Sequence, residues 1–466
     1  MQHTYGHFIP ENHNFRITTA DIPRNWYNYL WNDHCITFVS QTGAGEGFLQ
    51  DALGRRLPLV NERCVYLLEN GYSWGISGLP VEEKRDAFLC THALGSTTIH
   101  TENKGISTDL TFFVPENTNG EIWQLKLQNN STETRTVKLM GYAGTKLDGA
   151  YVRQGYNLAV AEYTPELNGI LLQSRGNFRG EKHCPYVGFM SMTEPADEYC
   201  CTVNGFIGPY GSIAHPKAVA QGSLPNNRCV NEKLGFALGK SFTLQPGEET
   251  EVSFICAIAF SLEEALSMQQ TFSQKGAVQR ALDAVAEKFT SQTDTVSIDT
   301  PDKELNHMFR WLTHQANMGS RWARVRHNGY RDMTSDSECL SCVNPQLALE
   351  RFKRVLTYQY PNGYAPRTFL DGAIKDNNFA DNTVWITFAA MSILKELGDL
   401  SVLDIPVAFN DGTEASIYEH VKRSVEFLYN FRGLHGLIRI WGGDWNDCMN
   451  TAGLQGKGVS VWLSLA

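Results

Sequence analysis

The spacing of apolar residues changes once along this chain of 466 residues, near Ser261, and that change constrains the fold more than any other feature. Before it, short runs alternate apolar and polar residues between glycine-rich turns, as in Ile122–Asn129. Alternation of this kind is typical of half-buried strands. Many short strands with such turns favour a β-sandwich over residues 1–260.

Beyond Ser261 the apolar residues recur at helical spacing, beginning with Leu262, Ala265 and Met268. A second helix is predicted over 277–289. After Pro301 the same spacing predicts four further helices, around Leu305–Leu312, Leu349–Leu356, Trp385–Ser392 and Ile417–Leu428.

A fifth helix of this region is predicted to begin at Val459. It reaches Ala466 with an apolar face and no capping residue at its end, so we expect the helical domain to be the first part of a longer one. A docked, buried terminus is the alternative. The sequence therefore predicts a β domain over 1–260, a helical linker over 261–300 and an all-α domain of helical hairpins over 301–466.

Composition excludes several classes of protein. Hydrophobic residues make up 42% of the chain, which is enough for more than one core, so disorder is excluded as the main state. Fifty acidic against 40 basic residues disfavour a broad nucleic-acid surface. No apolar run is long enough to span a membrane, and the first 25 residues lack a signal-peptide core.

The cysteines point to a cytoplasmic location and away from a metal site. There are 11, an odd number scattered along the chain, whereas secreted disulfide frameworks are shorter and denser. Cys339 and Cys342 form a lone C-x-x-C without a second pair. Reduced thiols are therefore favoured over zinc, and no metal site is predicted.

The densest group of chemically useful residues is the run Trp441–Asp447, with the sequence Trp-Gly-Gly-Asp-Trp-Asn-Asp. Indole, amide and carboxylate together suit a sugar, because Trp445 can cover an apolar ring face while Asn446 and the carboxylates bind hydroxyls. Asp447 could donate a proton if burial and a neighbouring charge raised its pKa. A calcium or turn site is the alternative, although the EF-hand pattern is absent.

A second group is Arg326–Asp332, followed by Asp336, in what the glycine predicts to be a loop. A guanidinium beside a carboxylate, as in Arg331 and Asp332, can bracket adjacent sugar hydroxyls. A surface ion pair is the competing interpretation.

A third stretch contains Asp381 and Asn382 just before a predicted helix. Either residue could cap that helix, and this structural role is at least as well supported as a ligand contact.

The order of these motifs resembles glycoside hydrolase family 94, which contains the cellobiose, cellodextrin and chitobiose phosphorylases and the phosphorylase part of cyclic β-1,2-glucan synthases. The resemblance runs along the whole chain. The segments that carry it are Tyr5–Phe8, Pro23–Leu30, Gly329–Asp332 with Asp336, Gly442–Asp447 with the Cys448-Met-Asn that follows, and Gly456–Trp462.

The resemblance implies an antiparallel β-supersandwich, a helical linker and an α/α toroid, here a partial one. It implies inverting phosphorolysis of a β-linked oligosaccharide, with inorganic phosphate as co-substrate and no other cofactor. By motif position Asp447 would be the acid that protonates the leaving oxygen. The residues that would hold the donor sugar or lie close to it are Arg326, Arg331, Asp332, Asp336, Trp445 and Asn446.

This chain departs from the family's pattern at three positions, with Val459 where glutamate is usual, Ser335 where glutamine is common and Asn382 where a second aspartate is usual. No phosphate-binding segment is recognised. Family members are often dimers, so a homodimer is the assembly that the resemblance suggests.

Two other functions stay open from the residues. An inverting hydrolase would need a second carboxylate roughly 6.5–9.5 Å from Asp447, for which Asp332, Asp336 and Asp381 are candidates. A non-catalytic carbohydrate-binding protein would need only the sugar contacts.

Overall fold

In a computed structural model of the chain, the structure describes residues 5–50, 56–80, 82–145, 159–174, 184–322, 328–370, 373–375, 378–446 and 458–466. The chain divides into two compact units, Met1–Thr290 and Ser291–Ala466. The first is built from strands and the second mainly from helices, which confirms the predicted order. A linker domain of its own over 261–300 stays a prediction.

Twenty described strands belong to the first unit. They are β1 (Gly6–Phe8), β2 (Phe15–Ile17), β3 (Tyr27–Trp31), β4 (Cys35–Ser40), β5 (Gly47–Gln50), β6 (Arg56–Val60), β7 (Glu62–Glu69), β8 (Tyr72–Gly75), β9 (Ala87–His92), β10 (Ser96–Asn103), β11 (Ile106–Phe113), β12 (Gly120–Asn129), β13 (Arg135–Gly144), β14 (Ala159–Thr164), β15 (Gly169–Ser174), β16 (Val187–Met192), β17 (Glu198–Thr202), β18 (Cys229–Val230), β19 (Leu234–Leu244) and β20 (Glu249–Ala259).

These strands pair antiparallel into three sheets. The largest has eleven strands in the order β1-β2-β9-β10-β11-β12-β20-β16-β15-β14-β18, and the others are β17-β19-β13-β7-β8 and β3-β4-β5-β6. The alternation that predicted a strand at Ile122–Asn129 is confirmed, since β12 pairs with β11 with Ile122 opposite Phe113.

The core of the first unit lies where the eleven-stranded and five-stranded sheets face each other. Gly141 of β13 approaches Phe254 of β20 so closely that a Cβ at 141 would lie 2.4 Å from the aromatic ring. Phe254 in turn packs on Trp123, with ring centroids 5.8 Å apart, and both are fully buried. Bulk on one sheet is thus matched by glycine on the other, as dense packing requires.

A buried ion pair lies in the same core. Arg63 donates from Nε to Oε1 of Glu121 at 2.5 Å and from Nη2 to Oε2 at 2.7 Å. The indole of Trp123 donates to the same carboxylate at 2.6 Å, and Thr37 accepts a further bond from Arg63. Burial by itself raises the pKa of Glu121, but the charge of Arg63 and these bonds outweigh it and hold the pKa below its ordinary value.

Ten helices lie in the described part of the chain: α1 (Val203–Phe206), α2 (Lys217–Gln221), α3 (Leu262–Phe272), α4 (Ala277–Thr293), α5 (Lys303–Trp322), α6 (Tyr330–Ser341), α7 (Pro345–Leu356), α8 (Asn382–Leu397), α9 (Ile417–Asn430) and α10 (Val461–Leu465). Six of them, α3, α4, α5, α7, α8 and α9, confirm the predicted helical stretches. No helix among the described residues is long and apolar enough to cross a membrane.

Short strands join the helices of the second unit. They are β21 (Asn328–Gly329), β22 (Thr368–Leu370), β23 (Ala373–Lys375), β24 (Pro406–Ala408), β25 (Glu414–Ser416), β26 (Ile438–Arg439) and β27 (Val459–Ser460). The helix predicted to begin at Val459 therefore begins two residues later, because Val459 and Ser460 pair with β26.

Helix α6 was not predicted, because its stretch was interpreted as a loop. Its buried face contains Thr334, Ser337 and Ser341, which hide the apolar periodicity of a helix. The hydroxyl of Thr334 donates to the carbonyl of Tyr330 at 3.0 Å, and that of Ser337 donates to Met333 at 2.9 Å. Hydroxyls satisfied in this way by the preceding turn can be buried without an external partner.

Candidate active site

The predicted site residues lie on two elements of the second unit. Arg331, Asp332 and Asp336 are in the first two turns of α6, and Trp445 and Asn446 are in the loop that follows β26. Arg326 and Asp447 lie outside the described residues.

Helix α6 begins at Tyr330, directly after Gly329, which is extended with φ −69° and ψ 128°. The carboxylate of Asp332 folds back against this glycine, since a Cβ at position 329 would lie 2.0 Å from its Oδ2. Asp332 and Asp336 are four residues apart and therefore lie on one face of the helix. The structure brings these two predicted residues together, one turn apart.

Arg331 forms an ion pair with Asp381, the residue just before α8. Its Nη1 lies 2.8 Å from Oδ2 of Asp381, and its backbone N–H donates to Oδ1 of Asn382 at 3.2 Å. No sequence pattern indicates this pairing, since by sequence Asp381 and Asn382 are candidate helix caps. The cap role of Asp381 is wrong for the side chain, since Asp381 has helical backbone angles and makes no side-chain capping bond.

The environment of Asp381 is unusual for a carboxylate. Its side chain is 0% exposed. Burial raises its pKa to about 6, the guanidinium of Arg331 opposes this, and the nearby charge of Asp444 adds to it. A carboxyl group tuned in this way inside a cluster of charged groups is a common mark of a functional site.

The loop that carries Trp445 and Asn446 is bound to the segment before α8. Gly442 donates its backbone N–H to the carbonyl of Asn378 at 2.7 Å, and Trp441 forms a β-bridge with Phe379. Trp441 has a φ of +55°, a left-handed conformation that a large side chain rarely adopts. The loop therefore leaves β26 in a strained turn held by backbone bonds to residues 378–379.

Asp444 anchors the far side of this loop. It is 7% exposed, and its Oδ2 accepts a hydrogen bond from the hydroxyl of Ser460 at 2.9 Å. Its Oδ1 accepts from the backbone N–H of Asn446 at 3.0 Å. The hydroxyl of Ser460 also accepts from the N–H of Leu463 at 3.2 Å and so caps α10. Asp444 thus holds the backbone that leads towards Asp447.

Aromatic rings line the same part of the second unit. Trp445 is 50% exposed, and its ring centroid lies 6.1 Å from that of Trp462. Trp462 lies 5.9 Å from Trp385 of α8. A half-exposed indole beside amide and carboxylate groups offers the apolar face and the polar groups that sugar binding uses.

The described residues offer little for a metal ion. Within the parts of the chain that the structure describes, no group of three or more His, Cys, Asp or Glu side chains is arranged to hold one.

Sequence comparisons place this arrangement in a family. The supersandwich domain of glycosyl hydrolase 94 matches residues 13–275, and the catalytic domain of the glycosyl hydrolase 94 superfamily matches residues 288–466. The boundary between the two matches falls close to the division between the two compact units.

Three curated relatives match almost the whole chain. A solabiose phosphorylase of Paenibacillus borealis is 29% identical over 99% of this chain and 62% of its own length. A 3-O-beta-D-glucopyranosyl-beta-D-glucuronide phosphorylase of the same organism is 28% identical over 99% of this chain and 61% of its own length. An N,N'-diacetylchitobiose phosphorylase of Vibrio furnissii is 26% identical over 98% of this chain and 63% of its own length.

The chain thus spans between 61% and 63% of the length of these relatives. Because one family domain alone matches more than half of the chain and a second follows it directly, the chain belongs to glycoside hydrolase family 94.

Proposed function

We propose that this chain carries the sugar-binding and acid-bearing part of an inverting β-glycoside phosphorylase. The reaction would transfer a glycosyl group from a β-linked disaccharide or oligosaccharide to phosphate. Family membership supports the proposal, as do the three relatives, each of which is named a phosphorylase.

The observation that carries the proposal is a shared attachment point. Residues 378–382 bind both the loop Trp441–Asn446, through Asn378 and Phe379, and the candidate sugar-binding residue Arg331, through Asp381 and Asn382. A rigid common support of this kind is what precise alignment of a sugar and an acid requires.

In the proposed reaction a phosphate oxygen attacks the anomeric carbon from the face opposite the leaving group. The bond from that carbon to the glycosidic oxygen breaks, and Asp447 donates its proton to that oxygen. The product is an α-sugar 1-phosphate and a shortened sugar. Phosphate takes the place of the base-activated water of an inverting hydrolase, so one catalytic carboxyl group is enough.

Other residues have binding roles in this proposal. The guanidinium and carboxylate groups would hold hydroxyls of the donor sugar, and the indole and amide would contact its ring and substituents. These residues are Arg326, Arg331, Asp332, Asp336, Trp445 and Asn446.

The proposal also names the setting of the enzyme. Phosphate is a co-substrate, and no further cofactor takes part. A cytoplasmic location, a homodimer and the absence of nucleic-acid and membrane partners belong to the same proposal. Light scattering on the purified chain tests the homodimer.

The experiment incubates the chain with inorganic phosphate and cellobiose, N,N'-diacetylchitobiose or solabiose and measures release of an α-sugar 1-phosphate. Asp447→Asn should lower the rate at least about 100-fold, since a positioned general acid contributes about 10²–10⁴. Asp404→Asn, which removes an exposed carboxyl group in the same unit, is the control. Release that persists in the Asp447 variant would reject the acid assignment.

An inverting hydrolase is the second candidate function, and the geometry argues against one of its three candidate bases. Of its candidate bases, Asp381 is fully buried and paired with Arg331, so it is poorly placed to activate a water. Sugar release that does not depend on phosphate would favour this function instead, and sugar binding without turnover would favour a non-catalytic role.

A further inference from the structure

Asp381 occupies a position where a carboxylate usually caps a helix, but its side chain serves another purpose. Its backbone angles are φ −67° and ψ −30°, which are helical, and it makes no side-chain capping bond to α8. Oδ2 instead accepts from Nη1 of Arg331 at 2.8 Å. The interaction that would stabilise α8 is therefore replaced by one that orients a residue on another helix.

The start of α8 holds Arg331 at two points. Asp381 binds the guanidinium, and Oδ1 of Asn382 accepts from the Arg331 backbone N–H at 3.2 Å. One bond fixes where the side chain begins and the other fixes where it ends. Because a long arginine side chain has many rotamers, holding both ends removes most of its freedom before any ligand binds.

Asp381 is also next to the loop that leads to the candidate acid. The residues just before it, Asn378 and Phe379, form the backbone attachment of Trp441 and Gly442. The charge of Asp444, within the same loop, is close enough to perturb Asp381. A change at the Asp381 side chain thus acts directly on Arg331, whereas the loop is held by separate backbone bonds at Asn378 and Phe379.

The first turn of α8 is not arranged for maximum stability. Oδ1 of Asp381, Nδ2 of Asn382 and Nε1 of Trp385 are buried and have no hydrogen-bond partner among the described residues. Asp381 and Asn382 are at least 97% buried as whole residues. Buried polar groups without partners are costly, so three of them in one helical turn call for a role other than stability.

We infer that Asp381 is a positioning residue for the donor sugar. It holds the guanidinium of Arg331 in the orientation that binds the sugar. The inference deepens the proposed function and rests on it, since that proposal assigns Arg331 to the donor sugar. Asp381 itself, being fully buried, does not touch the sugar. Its removal should therefore weaken sugar binding without removing a reacting group.

The experiment is a double-mutant cycle on the full chain. Asp381→Asn, Arg331→Lys and the double variant are titrated calorimetrically with D-glucose and with N-acetyl-D-glucosamine, and KM and kcat are measured with the disaccharide that the unmodified chain cleaves fastest. Asp404→Asn is the matched control. Thermal unfolding verifies that each variant is folded.

Each single variant should weaken binding of the monosaccharide about 10-fold or more, because a charge-assisted hydrogen bond is lost or misdirected. KM should rise by a similar factor while kcat changes much less, as expected when binding common to the ground and transition states is lost. The double variant should bind no more weakly than Arg331→Lys, since both changes remove one unit.

Three results would overturn the inference: unchanged binding in Asp381→Asn, fully additive losses, or a fall in kcat alone. No binding of either monosaccharide by the unmodified chain would also overturn it. If Asp381→Asn does not fold, Asp381→Glu is the second variant, since it keeps the charge and shifts it by one methylene. Asp381→Glu should fold and still weaken sugar binding. Normal sugar binding by Asp381→Glu would contradict the inference. Binding that follows the cycle in a chain without phosphorolysis would reject only the proposed function.

Discussion

Each of the two units of this protein pairs an arginine with a buried carboxylate, and the two carboxylates differ in how many hydrogen bonds they accept. In the first unit Glu121 receives two bonds from Arg63 and one from Trp123, and both oxygens are used. In the second unit Asp381 receives one bond from Arg331, and its other oxygen has no partner among the described residues.

The pKa values of the two carboxyl groups express the difference. Burial raises both, but the partners of Glu121 outweigh burial and leave its pKa below the ordinary value. Burial dominates at Asp381, whose pKa is about 6. Both carboxylate oxygens of Glu121 have partners, although Nη1 of Arg63 has none among the described residues. Asp381 has one bonded oxygen and a raised pKa next to the candidate site, as functional groups often do.

The largest expected effect lies in the structural pair. Glu121→Gln should lower the free energy of unfolding of the first unit by about 3–5 kcal/mol, because it leaves Arg63 charged, buried and unpaired. Urea unfolding followed by tryptophan fluorescence measures this, with Glu263→Gln, an exposed glutamate, as the control. Equal midpoints for the two variants would show that the Arg63–Glu121 pair is not structural.

Neutralising Asp381 should change the free energy of unfolding in the opposite direction. Its folded pKa of about 6 lies above the ordinary 3.8, so its contribution to stability is present below about pH 4 and is lost as the pH rises through 6. Asp381→Asn cannot ionise and should be more stable than the unmodified chain by ~1–3 kcal/mol at pH 8. The gain should shrink towards pH 5 in thermal unfolding, and a loss of stability at pH 8 would contradict the comparison.

Sugar affinity should also depend on pH through Asp381. As the pH falls through about 6 the carboxyl group takes up a proton, and Arg331 loses its charged partner while Asp444 remains nearby. Calorimetric affinity for the monosaccharide should drop by about 10-fold, the loss of a charge-assisted hydrogen bond. Asp381→Asn should lack this dependence. Identical pH profiles for the two proteins would show that Asp381 does not cause it.

The smallest effect is expected at Ser460. Ser460→Ala removes the hydroxyl that binds Asp444 and caps α10, which should cost about 1 kcal/mol and lower kcat as the loop near Asp447 loses its anchor. Ser416 caps α9 in the same way, since its hydroxyl accepts a hydrogen bond from the backbone N–H of Glu419. Ser416→Ala should lose similar stability with unchanged turnover, so equal activity losses in both variants would make the Ser460 effect non-specific.

Local patterns allowed much of the fold to be predicted from sequence, because each rests on neighbouring residues. Alternation at Ile122–Asn129 and helical spacing at Ile417–Leu428 both gave the correct element. Helix α6 is not predicted by apolar spacing, because its buried face contains Thr334, Ser337 and Ser341, whose hydroxyls bond within the helix. Apolar periodicity cannot detect a face that is buried but polar.

Part of the candidate site was predictable for the same reason. Trp445 and Asn446 share one short motif, and Arg331, Asp332 and Asp336 share another, so their grouping follows from adjacency. The contacts that link these motifs to distant residues could not be predicted from adjacency. Arg331 and Asp381 are 50 residues apart, and Asp444 and Ser460 are 16 apart.

The sequence by itself thus determined the β-then-α order, the family and the two motifs, because periodicity and motif order are properties of the chain. Only the tertiary structure decided which charge faces which. The pairing of Arg331 with Asp381, and the burial that raises the pKa of that carboxyl group, depend on how α6 and the start of α8 pack. Desolvation and ion pairing act through space, so no local pattern records them.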